Sequence, residues 1–120
     1  MQFFHWLFAG WSVRSAALLH YKRGLARAEK ADPSGAMEAF TAAVDLPDAP
    51  DDVRAMALFN RTLLHAAAGK TAPAVSDLNA VLALSAPLRD VKTAARRRLD
   101  RMRRQHDASV MARGNTQSST

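Results

Sequence analysis

The sequence contains no cysteine. That excludes a disulfide framework and a thiolate metal site. It fits a reducing compartment, and the cytoplasm is the expected location. Aromatic residues are scarce, at 7%. Five of the eight, Phe3, Phe4, Trp6, Phe8 and Trp11, stand within residues 1–11. The rest of the chain packs with small and aliphatic side chains, chiefly alanine, which suit close helix packing better than sheets. No run reaches the ~20 apolar residues of a membrane span. The N-terminal run is interrupted by His5 and Gly10, ends at Arg14, and lacks the basic n-region of a signal peptide. It is read as neither. No stretch alternates with a two-residue period, so strands are not expected.

Charge of one sign is confined to one end. Residues 1–87 hold 8 Lys/Arg and 8 Asp/Glu, whereas residues 88–120 hold 9 and 3, which accounts for the whole net charge of +6. An acidic partner would be met by that segment. At 120 residues, 48% hydrophobic and 23% charged, the chain has the make-up of one small globular domain.

All five prolines fall at element boundaries. Asp32-Pro33 is an N-cap followed by proline at the first helical position. Pro47 and Pro50 bracket a loop, after which Asp51 and Asp52 open a helix favourably for its dipole. Gly69 reads as a C-terminal stop, with Thr71 as the cap of the next helix. Ser85-Ala86-Pro87 repeats the cap-then-proline grammar. Helices follow at about 12–31, 34–46, 51–68, 72–84 and 88–106, each with apolar residues at helical spacing. Residues 107–120 lack an apolar pattern and read as a disordered tail.

The chain also echoes itself at an offset of 38 residues. Tyr21-Lys22-Arg23-Gly24-Leu25 returns as Phe59-Asn60-Arg61-Thr62-Leu63. Ala36, Phe40, Val44 and Leu46 return as Ala74, Leu78, Leu82 and Leu84. Asp52-Val53-Arg54 returns as Asp90-Val91-Lys92. A fixed period in this range marks stacked units that bury their apolar faces against one another. The expected fold is all-α: antiparallel helical hairpins in a short array, about two repeats plus a capping helix. It spans residues 12–106, with the aromatic segment 1–11 before it.

These residues resemble the tetratricopeptide repeat family. Tyr21-Lys22-Arg23-Gly24-Leu25-Ala26, then Ala36, Phe40 and Ala43, matches the repeat pattern. Phe59-Asn60-Arg61-Thr62-Leu63, then Ala74, Leu78 and Val81, matches it again, with Thr62 in place of the family glycine. The period of 38 exceeds the usual 34 or so, and the loop at 48–51 accommodates the extra residues. The resemblance implies a protein–protein interaction module whose ligand groove is lined by the first helix of each unit. Mapped onto this chain, the groove has three rows: Leu18, Tyr21, Leu25 and Ala28; Met56, Phe59, Leu63 and Ala66; Ala94, Arg97, Arg101 and Arg104. Tyr21, Leu25, Met56, Phe59, Leu63, Arg97, Arg101 and Arg104 are the expected partner-binding residues, making an apolar groove with a basic end. The lysine and asparagines with which chaperone-tail-binding members hold a terminal carboxylate are replaced by Tyr21, Leu25 and Leu63, so that clamp is not expected. The resemblance also implies an Arg61–Asp77 pair. Arg23 has Ala39 at the matching position.

Three occupants fit the groove: the segment Phe3–Trp11 folded back, a second copy of the chain, or a partner helix or peptide. Anchoring of residues 3–11 on a membrane surface is an additional reading. The cluster Arg96-Arg97-Arg98, Arg101, Arg103-Arg104 reads first as the solvated face of a terminal helix. The alternative is charge-driven binding of nucleic acid or an anionic surface, without base stacking, because no aromatic interleaves the arginines. The histidines, His5, His20, His65 and His106, have no ligand spacing. No Gly-rich phosphate loop or paired-carboxylate motif is present. No catalytic residue, metal site or cofactor is expected.

Overall fold

The computed structural model describes the backbone of residues 2–118 and the side chains of residues 13–115. Among the described residues there are five helices: α1 Gln2–Glu29, α2 Pro33–Asp45, α3 Asp51–Ala67, α4 Thr71–Ala83 and α5 Arg89–Ser118. No strand occurs among the described residues. α1 pairs with α2 and α3 pairs with α4. The hairpins stack because α3 also packs on both α2 and α1. α5 closes the series against α4 and α3. The protein is thus an all-α array of packed helix pairs, as its 38-residue period predicts.

Most boundaries follow the sequence punctuation. Asp32 caps α2 by accepting from the Gly35 backbone N–H at 2.9 Å, with Pro33 at the first helical position. Asp51 and Asp52 occupy the first turn of α3. Three expectations need correction. Thr71 is not a cap: Lys70 precedes α4 and makes no side-chain capping bond. α1 does not begin at 12 but continues through the aromatic segment from Gln2. The tail 107–120 does not leave the helix at 106, because α5 runs on to Ser118. No proline follows Pro87, and residues 107–113 include Ala108, Met111, Ala112 and Arg113, all good helix formers.

The first helix of each hairpin ends the same way. Asp32 N–H donates to Arg27 O at 2.9 Å and Ala31 N–H to Ala28 O at 3.1 Å. Lys70 N–H donates to His65 O at 2.8 Å and Gly69 N–H to Ala66 O at 3.0 Å. Both are Schellman closures, 38 residues apart. The left-handed residue is Gly69 at φ 75° in the second and Ala31 at φ 58° in the first. A Cβ in that conformation costs ~1–2 kcal/mol, whereas glycine adds entropy to the unfolded chain. Ala31→Gly is therefore expected to stabilise the protein by about 0.5–1 kcal/mol, seen as a higher urea midpoint with an unchanged slope.

The repeat is also visible in how the units are tied. Arg54, at the start of α3, donates to Val44 O and Leu46 O at 3.2 Å each, satisfying carbonyls at the end of α2. Lys92, its equivalent in α5, donates from Nζ to Leu84 O at the end of α4. The cores of the units repeat as well. Ala36, Phe40 and Ala43 are buried in the first hairpin, and Ala74, Leu78 and Val81 in the second. Ala57 of α3 joins the first set, and Ala95 of α5 joins the second. These are again equivalent positions. Each unit thus borrows an alanine from the helix that follows, so no hairpin closes its core alone.

Candidate functional site

The expected groove residues lie at different depths. Tyr21 is half-buried between hairpins. Its ring centroid lies 6.0 Å from that of Phe40 at 44°, and its hydroxyl accepts from Asn60 Nδ2 at 3.4 Å. Leu25 packs beside it on the Ala36–Phe40–Ala43 cluster. Phe59 is half-buried against Leu58, Leu78 and Val81. Met56 rests on Ala17, Ala49 and Val53. Leu63 reaches furthest out, 38% exposed. Tyr21, Leu25 and Phe59 thus serve the packing of the array. Leu63 offers more to solvent, and the half-buried Met56 borders an open cleft. The side chains of residues 3–11 lie outside the described residues, and so does the expectation that they fill the groove.

An open cleft of about 440 Å³ lies beside Met56. Pro87, Leu88 and Val91 give it apolar walls, and Asp52, Arg89 and Asp90 line it with charge. It forms because the link from α4 to α5 runs past the start of α3, where Ala86 N–H donates to Asp51 Oδ2 at 3.4 Å. Asp52 is held by Arg14 of α1 through two bonds, at 2.9 and 3.3 Å. Hydrogen bonding to Arg14 places the Asp52 carboxyl below its ordinary pKa, against a partial desolvation. The groove positions read from the repeat register did not include Pro87 and Leu88, which lie in the link before α5, or Val91, because the third row began at Ala94. The signal for them was the apolar pair Pro87-Leu88 in a linker.

Arg97, Arg101 and Arg104 are exposed on α5. Arg97 and Arg101 form no ion pair among the described residues, and Arg104 Nε donates to Asp100 O at 3.4 Å. The repeat register explains the polarity of a neighbouring stripe of α5. Thr93, Arg96 and Asp100 stand where α3 carries Ala55, Leu58 and Thr62. On α3 those three are buried. Among the described residues no helix covers the same stripe of α5, and charge there suits a solvated face. Arg98 is half-buried, with its Nε shielded and unpaired.

The most buried ion pair among the described residues that joins two permanently charged groups is Arg61–Asp77. Arg61 Nε and Nη2 donate to the two Asp77 oxygens at 2.7 Å each, and Nη1 donates to Thr41 Oγ1 on α2 at 3.2 Å. His65 Nε2 stands 3.6 Å from Asp77 Oδ2. Hydrogen bonding to Asp77 raises the Arg61 pKa further, against desolvation. The constellation ties three helices together.

No cluster of three or more metal-ligating side chains occurs among the described residues. No helix searched among them is long and apolar enough to cross a membrane. No protein-family model, characterised protein or solved structure matches the chain.

Proposed function

We propose that the protein is a tetratricopeptide-like interaction module and not an enzyme. It would take a partner helix or peptide on the face bearing Met56, Phe59 and Leu63, with an acidic end toward Arg97, Arg101 and Arg104. The observation that carries this reading is the cleft at Met56, an apolar recess of about 440 Å³ bordered by charges of both signs. Such a recess suits an anchoring side chain of an amphipathic segment. Tyr21 and Leu25 support the site by fixing the α1–α3 packing. The polar residues that terminus-clamping relatives of this fold would need are replaced by Tyr21, Leu25 and Leu63, so the recognition is apolar. The exposed arginines favour the second reading, charge-driven contact with nucleic acid or an anionic surface.

The test is a helix-peptide display selection against the full chain, followed by affinity measurements on the selected peptides. Met56→Ala and Leu63→Ala are each expected to weaken binding about five- to tenfold, the equivalent of ~1 kcal/mol or slightly more. Affinity should fall only modestly between about 50 and about 200 mM salt, because only the contact of the acidic end with the arginines is screened. Binding that survives both substitutions but collapses with salt, or on neutralising Arg97, Arg101 and Arg104, would instead support the charge-driven reading.

A further inference from the structure

The two hairpins differ at one position in a way that leaves a cation unanswered. Arg61 has Asp77 opposite it on α4. Its equivalent Arg23 has Ala39 opposite it on α2. Arg23 is exposed, and among the described residues it makes no hydrogen bond or ion pair. Beside it a cavity of about 250 Å³ opens between α1 and α2. His20, Arg23 and Arg27 line it from α1, and Gly35, Glu38 and Ala39 from α2. The small side chains at 35 and 39 create the room. Arg27 is engaged with Asp32 at 3.1 Å. Glu38 is the one acid in the lining, against two arginines and a histidine.

A second observation concerns the same side of α1. In the second unit the corresponding surface of α3 is covered by α2: Ala57 is fully buried there, and Arg61 reaches Thr41 across the interface. The residue equivalent to Ala57 is Leu19, which is 49% exposed. Nothing among the described residues stands on α1 as α2 stands on α3. Leu19 and Arg23 are one turn apart and share a face.

We propose that this outer face of the α1–α2 hairpin is a docking site for an acidic, amphipathic segment of a partner protein. A carboxylate of that segment enters the cleft and pairs with Arg23 as Asp77 pairs with Arg61, while an apolar side chain covers Leu19. The chemistry of the occupant follows from the charge of the lining and from the second hairpin, where the carboxylate is supplied within the chain. This site is separate from the Met56 cleft and stands whether or not that cleft takes a helix or peptide.

Two measurements on the full chain test the proposal. In the first, Ala39→Asp and Ala39→Asn are compared by thermal unfolding, each with Arg23 and with Arg23→Gln. Asparagine matches aspartate in shape and in helix propensity, so their difference isolates the charge. With Arg23 present, the aspartate variant is expected to melt about 2–4 °C above the asparagine variant. With Arg23→Gln the difference should vanish. In the second, sodium acetate replaces sodium chloride at constant ionic strength while the arginine Nε–H signals are followed by nitrogen-15 NMR. The Arg23 signal is expected to move several-fold more than those of Arg97 and Arg101, and Ala39→Asp should abolish the response. An equal aspartate–asparagine difference in both backgrounds would overturn the proposal, as would an Arg23 signal moving no more than Arg97. If inorganic phosphate moved Arg23 further than acetate at matched ionic strength, the site would be a phosphate site and the carboxylate assignment would fall.

Discussion

Asp77→Ala is expected to destabilise the protein by about 3–5 kcal/mol, a large share of the ~5–15 kcal/mol that holds a small domain folded. The reason is the charge left behind. Arg61 is only 17% exposed, and two of its guanidinium nitrogens end on Asp77 at 2.7 Å. Truncation leaves that cation in a poorly solvated pocket with one remaining bond, to Thr41. The residues bridged lie on α2, α3 and α4, so the loss falls on the contact between hairpins as well as within one. Chemical denaturation read by circular dichroism would measure it. Asp77→Asn, which keeps an acceptor, should lose less. Arg61→Met combined with Asp77→Leu should recover most of the stability, because an apolar pair of similar volume needs no desolvation of charge. If the double variant is as unstable as Asp77→Ala alone, the pair holds the hairpins by geometry that apolar packing cannot replace, and the stranded charge is not the cause of the loss.

The architecture was legible because its signals are local and repeated. Asp32-Pro33, Pro50-Asp51 and Gly69 are statements about backbone hydrogen bonding, and such statements hold wherever the surrounding chain lies. Burial at Ala36, Phe40, Ala74 and Leu78 followed from helical spacing plus the period. Thr71 misled because a threonine before an apolar run satisfies the capping pattern, whereas the helix starts at that threonine itself. The end of α5 misled for a different reason. Its residues 107–115 are exposed and show no apolar stripe, so periodicity is silent about them and only propensity speaks. The candidate surface was less legible than the fold. Tyr21 and Leu25 sit at groove positions by register, yet whether a residue at such a position faces solvent depends on how tightly successive hairpins close. The close approach of Tyr21 to Phe40 and Asn60 draws that row inward. The cleft at Met56 depends on a loop, and a loop's path is not written in periodicity.

The replacement of glycine by threonine in the second unit has a structural cause, and it yields the second large effect. Gly24 packs flat against Phe40. A Cβ added there would lie 2.8 Å from the ring's Cζ and closer still to two other ring carbons. Phe40 is only 1% exposed and has no room to retreat. In the second hairpin the same two positions hold Thr62 and Leu78, both fully buried, and the threonine hydroxyl is satisfied by Leu58 O at 2.9 Å. The larger residue on one helix accompanies the smaller residue on the other. Gly24→Thr alone is therefore expected to cost about 2–3 kcal/mol through overpacking, even though threonine is the better helix former. Phe40→Leu alone should cost about 1–2 kcal/mol through lost burial and a partial cavity. Together they rebuild the pair found in the second hairpin, and the double variant should be more stable than Gly24→Thr alone, with a coupling of about 1–3 kcal/mol. The reciprocal pair, Thr62→Gly with Leu78→Phe, should couple in the same direction. Urea denaturation of the four single and two double variants measures both cycles. Simple additivity in both would mean that the two positions do not compensate each other. The match between Gly24–Phe40 and Thr62–Leu78 would then be a coincidence of sequence. Coupling in both would show that each hairpin keeps the summed volume at this contact and leaves its division between helices free, which is how two units with different residues keep one spacing along the array.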